Sequence, residues 1–231
     1  MESTLLRTKI SGTAAIALID PDCKNDTILE IGPGDGALTD RLSKAAGHIH
    51  AVEIDPLLIK HLGDKQYQNV VIHEGDILDW DISILPEGVK IIGNLPYYIS
   101  SPILFRFLGI SKWERMVLMF QKELAERIVS KEGSRSYGRI SVMCQVFCDV
   151  KIEITVSRNV FQPKPDVDSA VLSLTPRSDE LPEISLFSDF PMVSPKEISS
   201  MFTSINFWII SISGSMDIFP SKGQYQTVEI Y

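Results

Sequence analysis

The feature that most constrains the fold is an alternation of short apolar, strand-like runs with helix-like segments. Thr27–Ile31 is a β-branched run that enters a glycine-rich turn, Ala37–Ala46 has the pattern of a helix, and His48–Ile54 returns as a second strand. A strand, helix and strand in this order are typical of a βαβ unit, whose two strands lie parallel in one sheet. The sequence therefore predicts a wound α/β sheet.

The same alternation continues to Arg177 and predicts seven strands in all. The five further strands are Val70–His73, Val89–Ile92, Met116–Phe120, Lys151–Val156 and Ser169–Leu174, and the further helices lie near Pro56–Leu62, Pro102–Leu108 and Lys122–Ser130. After Arg177 Ser and Pro recur and no period persists. We therefore expect one domain over residues 1–177 and a short, degenerate C-terminal appendage over residues 178–231.

Composition limits the class of protein. With 231 residues, of which 44% are hydrophobic, the chain can bury one sizeable core. It contains no run of about 18 apolar residues and no order typical of a secretory signal, so we expect a cytoplasmic location and no membrane. Cys23, Cys144 and Cys148 form no CxxC pair, which favours reduced, buried thiols and predicts no metal site.

The charge is uneven along the chain. The net charge is −8, which argues against a surface coated with basic residues for nucleic-acid binding. Residues 178–231 hold two Lys and seven acidic residues, whereas the span Arg106–Arg139 holds eight basic residues and four Glu. The basic span is compatible with a local RNA-facing surface, or with solvated helix faces joined by pairs such as Glu123 with Arg127.

Glu30–Gly36 is the first motif with a chemical meaning. Gly32 and Gly34 allow the backbone to turn sharply and to approach a ligand closely, at the start of a helix with free N–H groups. The run also fits the dinucleotide pattern G-x-G-x-x-G/A, so NAD binding stays open beside a purely structural turn. Pro33 removes one backbone donor, which disfavours a pyrophosphate.

Two acidic residues follow the next strands. Glu53 ends the second strand, where a carboxylate can accept both ribose hydroxyls of an adenosine-containing ligand such as NAD or S-adenosylmethionine. Asp76 follows the third strand and could bind an adenine amino group or form a turn. Asp55 is better interpreted as the N-cap of the helix that starts at Pro56.

Asn94–Tyr98, with the sequence NLPYY, follows the fourth strand and carries a resemblance. It resembles the target-base motif of adenine-N6 methyltransferases, and its continuation Ile99–Pro102 is similar to the ribosomal RNA small-subunit adenine dimethyltransferase family. Further segments resemble the same family in the same order. Gln121–Glu123 and Tyr137–Val142 resemble its central helices, and Phe161–Val171 resembles its late strand-entry motif. The resemblance runs from about Thr27 to Arg177.

This resemblance implies the fold, the activity and the partners. It implies a Rossmann-like, seven-stranded methyltransferase fold that uses S-adenosylmethionine as cofactor and dimethylates two neighbouring adenines near the 3′ end of small-subunit ribosomal RNA. The implied partner is the immature small ribosomal subunit, and we expect a monomer. The predicted cofactor-binding residues are Glu30, Gly32, Gly34, Glu53, Asp76 and Asn94.

The chemistry explains the predicted catalytic residues. An exocyclic adenine amine is a poor nucleophile, so the site must align it with the methyl carbon. The side-chain oxygen of Asn94 and a backbone carbonyl in Leu95–Pro96 can accept its two hydrogens, and Pro96 fixes that carbonyl's direction. Tyr97 can stack on the extruded base, and Phe161 would by resemblance close its other face.

The two ends of the chain differ from the family pattern. Met1–Ile10 lacks the family's short segment with Gly, Gln, Phe and Leu that covers the cofactor, and the family's C-terminal domain is basic and helical where residues 178–231 are acidic. The missing cofactor-covering segment motivates a second hypothesis, an RNA-binding ribosome-assembly protein of the same fold without turnover. A third hypothesis, an NAD-dependent oxidoreductase, leaves Asn94–Tyr98 unexplained.

Overall fold

A computed structural model describes residues 15–19, 25–110, 112–161 and 164–177. Within them lies one seven-stranded sheet of order β3-β2-β1-β4-β5-β7-β6. The strands are β1 Thr27–Ile31, β2 His48–Glu53, β3 Val70–Glu74, β4 Val89–Asn94, β5 Trp113–Gln121, β6 Cys148–Val156 and β7 Ser169–Pro176. All seven predicted strands are confirmed, and so is the α/β class.

The pairing is parallel from β3 to β5, and β7 runs antiparallel between β5 and β6. β5 and β6 begin three residues earlier than the sequence predicts, at Trp113 and Cys148. For β6 the reason is its partner, because β7 extends the ladder as far as the pair Cys148 and Pro176. Pairing of this kind depends on a distant segment and leaves no local signal.

Helices connect the strands on both faces of the sheet. Residues 15–19 form α1, followed by α2 Thr39–Ala45, α3 Pro56–Asp64, α4 Ser100–Leu108, α5 Lys122–Ile128 and α6 Arg139–Phe147. Asp55 caps α3 as expected, since its side chain accepts the Leu57 N–H at 2.8 Å. The apolar pattern did not predict α6, which runs into β6 at Cys148 with no Gly or Pro between them, although the family resemblance of Tyr137–Val142 implied a helix there.

The core has one layer on each face of the sheet. Leu29 of β1 belongs to the layer that contains Phe107 of α4, whereas its neighbour Ile28 belongs to the layer that contains Leu42 of α2. Successive strand residues point to opposite faces, and both layers are buried. This explains why the strands are continuous apolar runs and not alternating ones.

The described part of the chain ends just after β7. The Arg177 N–H donates to the Phe147 carbonyl at 3.0 Å, so the end of β7 is held against the end of α6. The boundary between residues 177 and 178 and the C-terminal appendage lie outside the described residues and stay predictions. Cys144 and Cys148 are buried free thiols, as predicted, and Cys23 lies outside the described residues. No described helix is long and apolar enough to cross a membrane.

Candidate active site

The carboxyl ends of four parallel strands bring the predicted site residues to one edge of the sheet. Ile31 pairs with both Val52 and Gly93, which sets Gly32 beside Glu53 on one side and Asn94 on the other. Glu53 itself pairs with Glu74, two residues before Asp76. Because strands lie about 4.8 Å apart, the row from β3 to β4 spans about 14 Å. Open α/β sheets bind ligands at this edge.

The glycine turn after β1 has an open side and a packed side. Gly32 and Gly34 have φ angles of +64° and +60°, and a Cβ on either would meet no atom within 4 Å. Gly36, at φ +82°, lies on the packed side of the turn, because a Cβ there would lie 2.7 Å from Leu62 Cδ2. Gly32 and Gly34 therefore leave free space for a ligand, whereas Gly36 is required for packing.

A cluster behind the turn holds it in place, and no motif in the sequence indicated this cluster. Lys65 Nζ donates to the Asp35 carbonyl at 2.8 Å and forms an ion pair with Asp40 at 3.0 Å. The Tyr67 hydroxyl donates to the same Asp40 carboxylate. Although partial burial acts in the opposite direction, the hydrogen bonds from Tyr67 and Lys65 lower the pKa of Asp40 below its usual value. Lys65 and Tyr67 follow α3 in a segment without a recognisable pattern.

Glu53 connects the glycine turn to the start of α3. Its Oε2 accepts the Gly34 N–H at 3.1 Å, and its Oε1 accepts the N–H groups of Ile54 at 3.0 Å and Asp55 at 3.1 Å. The residue is buried at 7% exposure. A carboxylate has about four acceptor positions, so three backbone bonds leave capacity for a ligand hydroxyl.

Glu30 is the most deeply buried acid of the site. It is 1% exposed, and its Oε2 has no hydrogen-bond partner among the described residues. Burial raises the pKa of Glu30 to about 8, and the negative charges of Asp40 and Glu53 act in the same direction, whereas the Thr39 side chain acts against it. A buried carboxyl oxygen without a partner, at the start of a glycine turn, is a position where a ligand donor would be stabilised.

Asp76 forms the turn that was one of the two interpretations the sequence left open. Its Oδ1 accepts the Leu78 N–H at 2.9 Å, and its carbonyl accepts the N–H groups of Asp79 and Trp80, so it does form a turn. The Gly75 N–H donates to the Glu53 carbonyl at 2.9 Å, which keeps this turn beside the end of β2. Since the turn uses Oδ1, a ligand contact through Oδ2 stays a prediction.

The corner after β4 is a rigid turn. Leu95 is buried, the Ile99 N–H donates to the Pro96 carbonyl at 3.2 Å, and Ser100 Oγ donates to the Tyr97 carbonyl at 3.0 Å. Asn94 is partly exposed, and its side chain makes no hydrogen bond within the described part of the chain. Because the Pro96 and Tyr97 carbonyls serve the turn, the Leu95 carbonyl is the better candidate for the second acceptor.

Similarity to known proteins identifies the family of this chain. Residues 3–193 match the family model described as ribosomal RNA adenine dimethylase. The chain belongs to this family. Among curated proteins, it is 50% identical over 153 residues to a probable ribosomal RNA small subunit methyltransferase A of Thermococcus onnurineus, covering 66% of this chain and 55% of that protein. It is 44% identical over 172 residues to the ribosomal RNA small subunit methyltransferase A of Coxiella burnetii, covering 72% of this chain and 66% of that protein.

Solved structures from the same group have similar folds. A dimethyladenosine transferase from Plasmodium falciparum matches with a TM-score of 0.69 at 31% identity, covering 75% of this chain and 63% of that one. The 23S ribosomal RNA methyltransferase ErmE matches with a TM-score of 0.67 at 30% identity, covering 78% of this chain and 72% of that one. The chain spans little more than half the length of the first curated relatives. Membership of a methyltransferase family removes the basis for the NAD-dependent hypothesis.

Family membership leaves the role of Phe161 a prediction. Phe161 is only 4% exposed and belongs to the same buried cluster as Met119 and Val171. Phe161 is therefore a core residue in this structure. A base could contact only the small part of its ring that is exposed to solvent. The neighbouring Gln162 and Pro163 lie outside the described residues.

The basic span Arg106–Arg139 does not form one surface. Three of its residues donate hydrogen bonds to backbone carbonyls of other segments. Arg106 donates to Trp80, Lys112 to Ser83 and Leu85, and Arg115 to Leu18. The expected pair of Glu123 with Arg127 is not among the described ion pairs, and Lys122 instead pairs with Glu126 at 3.8 Å. The exposed cations of the span are Arg127, Lys131, Arg135 and Arg139, around α5 and the start of α6.

Proposed function

We propose that this chain transfers methyl groups from S-adenosylmethionine to N6 of adenines in small-subunit ribosomal RNA and produces dimethyladenosine at two neighbouring positions. The observation that carries the proposal is the parallel pairing of Ile31 with Gly93. It places the corner after β4, residues Asn94–Tyr98 (the Asn94 corner), directly beside the glycine turn, on the same edge of the sheet. A methyl donor and a target amine held at these two places would be adjacent.

The hydrogen-bonding groups of this edge favour a ligand that supplies donors. Glu30 and Glu53 are both buried there, and the Gly34 N–H already donates to the Glu53 carboxylate. Pro33 has no N–H to offer. A pyrophosphate would meet acidic groups and few free donors, whereas a sulfonium with an amino group and ribose hydroxyls would meet acceptors. The residues present therefore fit S-adenosylmethionine better than a dinucleotide.

Each residue has a distinct part in the proposed reaction. When bound, S-adenosylmethionine supplies an electrophilic methyl carbon on a positively charged sulfur. Glu53 would accept ribose hydroxyls, and Asp76 would accept an adenine amino hydrogen. Asn94 Oδ1 and the Leu95 carbonyl would accept the two hydrogens of the target amine, which keeps its lone pair directed at the methyl carbon. As the new C–N bond forms, the bond between sulfur and the methyl carbon would break with its electron pair left on sulfur, and one amine proton would leave to solvent.

Tyr97 would hold the extruded base by stacking. Base-to-aromatic stacking contributes about 1–3 kcal/mol and does not read the identity of the base. Asn94 Oδ1 and the Leu95 carbonyl offer acceptors to two N–H donors, so they would select bases that carry an exocyclic amine at the position of the target amine, which are adenine and cytosine. Uracil and guanine present a carbonyl oxygen at the corresponding position and would leave both acceptors unpaired.

The ribosomal partner and the location are part of the proposal. The names of the curated relatives support the small subunit as the source of the RNA, although ErmE is named for 23S RNA. The immature small subunit as partner, a monomeric state and a cytoplasmic location stay predictions. The exposed cations Arg127, Lys131, Arg135 and Arg139 are the described residues best placed to contact phosphates.

Tritiated methyl incorporation into small ribosomal subunits that lack the modification tests the function. We expect incorporation by the wild-type chain and a loss of at least about 100-fold in Asn94→Ala, because one of two acceptors for the amine is gone. Thermal unfolding must show that the variant is folded. Equal incorporation by the two proteins would show that Asn94 has no catalytic part.

Calorimetry with S-adenosylhomocysteine separates the enzyme from an assembly protein without turnover. Binding in the micromolar range supports the enzyme. No binding at millimolar ligand, together with retained binding to small subunits, supports the assembly protein.

A further inference from the structure

We infer that Ser169 is a positioning residue, which fixes the ring of Tyr97 through a hydrogen bond between the two hydroxyl groups. This inference rests on the proposed function of the Asn94 corner. The Tyr97 Oη and Ser169 Oγ atoms lie 2.8 Å apart, although 72 residues separate them in the sequence. Neither the corner nor the strand that carries Ser169 could make this contact alone.

The backbone of Ser169 is held on both sides by the sheet. It is the first residue of β7, and it pairs with Gln121 of β5 on one side and Val156 of β6 on the other. Its side chain is fully buried at 0% exposure. The preceding residue is held as well, because the Lys122 N–H donates to the Asp168 carbonyl at 2.9 Å. The hydroxyl therefore has little freedom to follow a moving partner.

Tyr97 is fixed at its other end by the corner itself. Ser100 Oγ donates to its carbonyl, and the one-turn helix Tyr97–Ile99 follows directly after Pro96. A tyrosine ring has two rotatable side-chain bonds, so tying the hydroxyl at the far end removes most of the remaining freedom. Tyr97 is half-buried, which leaves part of the ring accessible to a base.

The consequence is a stacking face that is already in place before RNA binds. The register places Asn94 opposite Met119, and Ser169 opposite Gln121 two residues further along β5. The acceptor for the amine and the support for the stacking ring are thus set by the same strand. Loss of the Ser169 hydroxyl would free the ring, and a base displaced by about 1 Å reacts about 100-fold more slowly.

Steady-state kinetics of the full chain on unmodified small subunits tests this role. Ser169→Ala should lower kcat by about 10- to 100-fold, with the KM for subunits and the Kd for S-adenosylhomocysteine changed by no more than about twofold. Ser173→Ala is the matched control. Ser173 lies on the same strand, pairs with both neighbours and donates one side-chain hydrogen bond to Glu153, but it lies four residues from Ser169.

A second variant tests the same bond from the partly exposed end. Tyr97→Phe removes the hydroxyl and keeps the ring, so it should show a similar loss of kcat, and the double variant with Ser169→Ala should be no slower than either single variant. If the two losses multiply, or if Ser169→Ala matches Ser173→Ala in kcat, the positioning role is wrong while the proposed function stands. No incorporation by the wild-type chain would overturn both.

Discussion

The backbone N–H of Gly34 donates a 3.1 Å hydrogen bond to Oε2 of Glu53 and so joins the glycine turn after β1 to the end of β2. Two motifs that are 19 residues apart in the sequence therefore form one unit. The same carboxylate accepts two N–H groups at the start of α3. A change at Glu53 should consequently alter both the ligand site and the shape of the turn.

Replacement of Glu53 by Gln tests this coupling. An amide retains one oxygen but places an NH2 group against backbone donors, so we expect S-adenosylhomocysteine binding to weaken by about 1.5–3 kcal/mol, the range for hydrogen bonds to charged groups. Calorimetry measures the binding, and thermal unfolding should show a smaller loss of stability. Glu74→Gln is the control, because Glu74 pairs with Glu53 in the sheet and is exposed. Equal effects of the two variants would contradict the assignment.

The glycine turn offers a comparison between a residue that faces a ligand and one that packs. Gly34→Ala and Gly36→Ala both force an L-residue into left-handed backbone, which costs about 1–2 kcal/mol. At Gly36 the added methyl also collides with Leu62, so thermal unfolding should show the larger loss of stability there. At Gly34 the methyl enters open space, so the ligand-induced rise in Tm should be lost although the chain stays folded. A normal rise in Tm for Gly34→Ala would show that the ligand does not use this space.

The buried Glu30 should make stability depend on pH in a definite direction. Its pKa is 4.5 in an ordinary environment and about 8 in the folded chain, so the folded state binds the proton more tightly. Between these values the free energy of unfolding falls as pH rises, by at most about 1.4 kcal/mol per pH unit, and the loss is complete above pH 8.

Glu30→Gln keeps a neutral group of similar shape and should remove this dependence. Denaturant unfolding from pH 5 to pH 9 should show the variant gaining stability relative to the wild type as pH rises. Glu87→Gln, at an exposed carboxyl, is the control and should track the wild type throughout. Parallel curves for wild type and Glu30→Gln would mean that Glu30 titrates normally.

Several strands, the start of α3 and the family could be predicted from local sequence. Strands buried on both faces are continuous apolar runs, so Thr27–Ile31 and Val89–Ile92 could be recognised without their partners. Asp55 and Pro56 mark the start of α3 by cap chemistry that involves only neighbouring residues. The segment Asn94–Tyr98 has a composition unusual enough to indicate its chemistry and the family.

Other features depended on contacts between distant segments. The early start of β6 follows from the length of β7, and the apolar pattern alone did not predict α6 because no breaker separates it from that strand. Lys65 and Tyr67 gained their role only when α3 packed behind the glycine turn. The residues of the basic span lie on several surfaces, because Arg106 and Arg115 donate hydrogen bonds to different segments.

The sequence by itself determined the order of the seven strands along the chain, the glycine turn and the identity of the residues at each strand end, because these depend on short-range periodicity and on residue chemistry. Only the tertiary structure decided that Gly34 bonds Glu53, that Tyr97 bonds Ser169 and that Phe161 is buried. Each of these depends on which strands become neighbours in the sheet and in what register, a property of the whole fold that no single segment encodes.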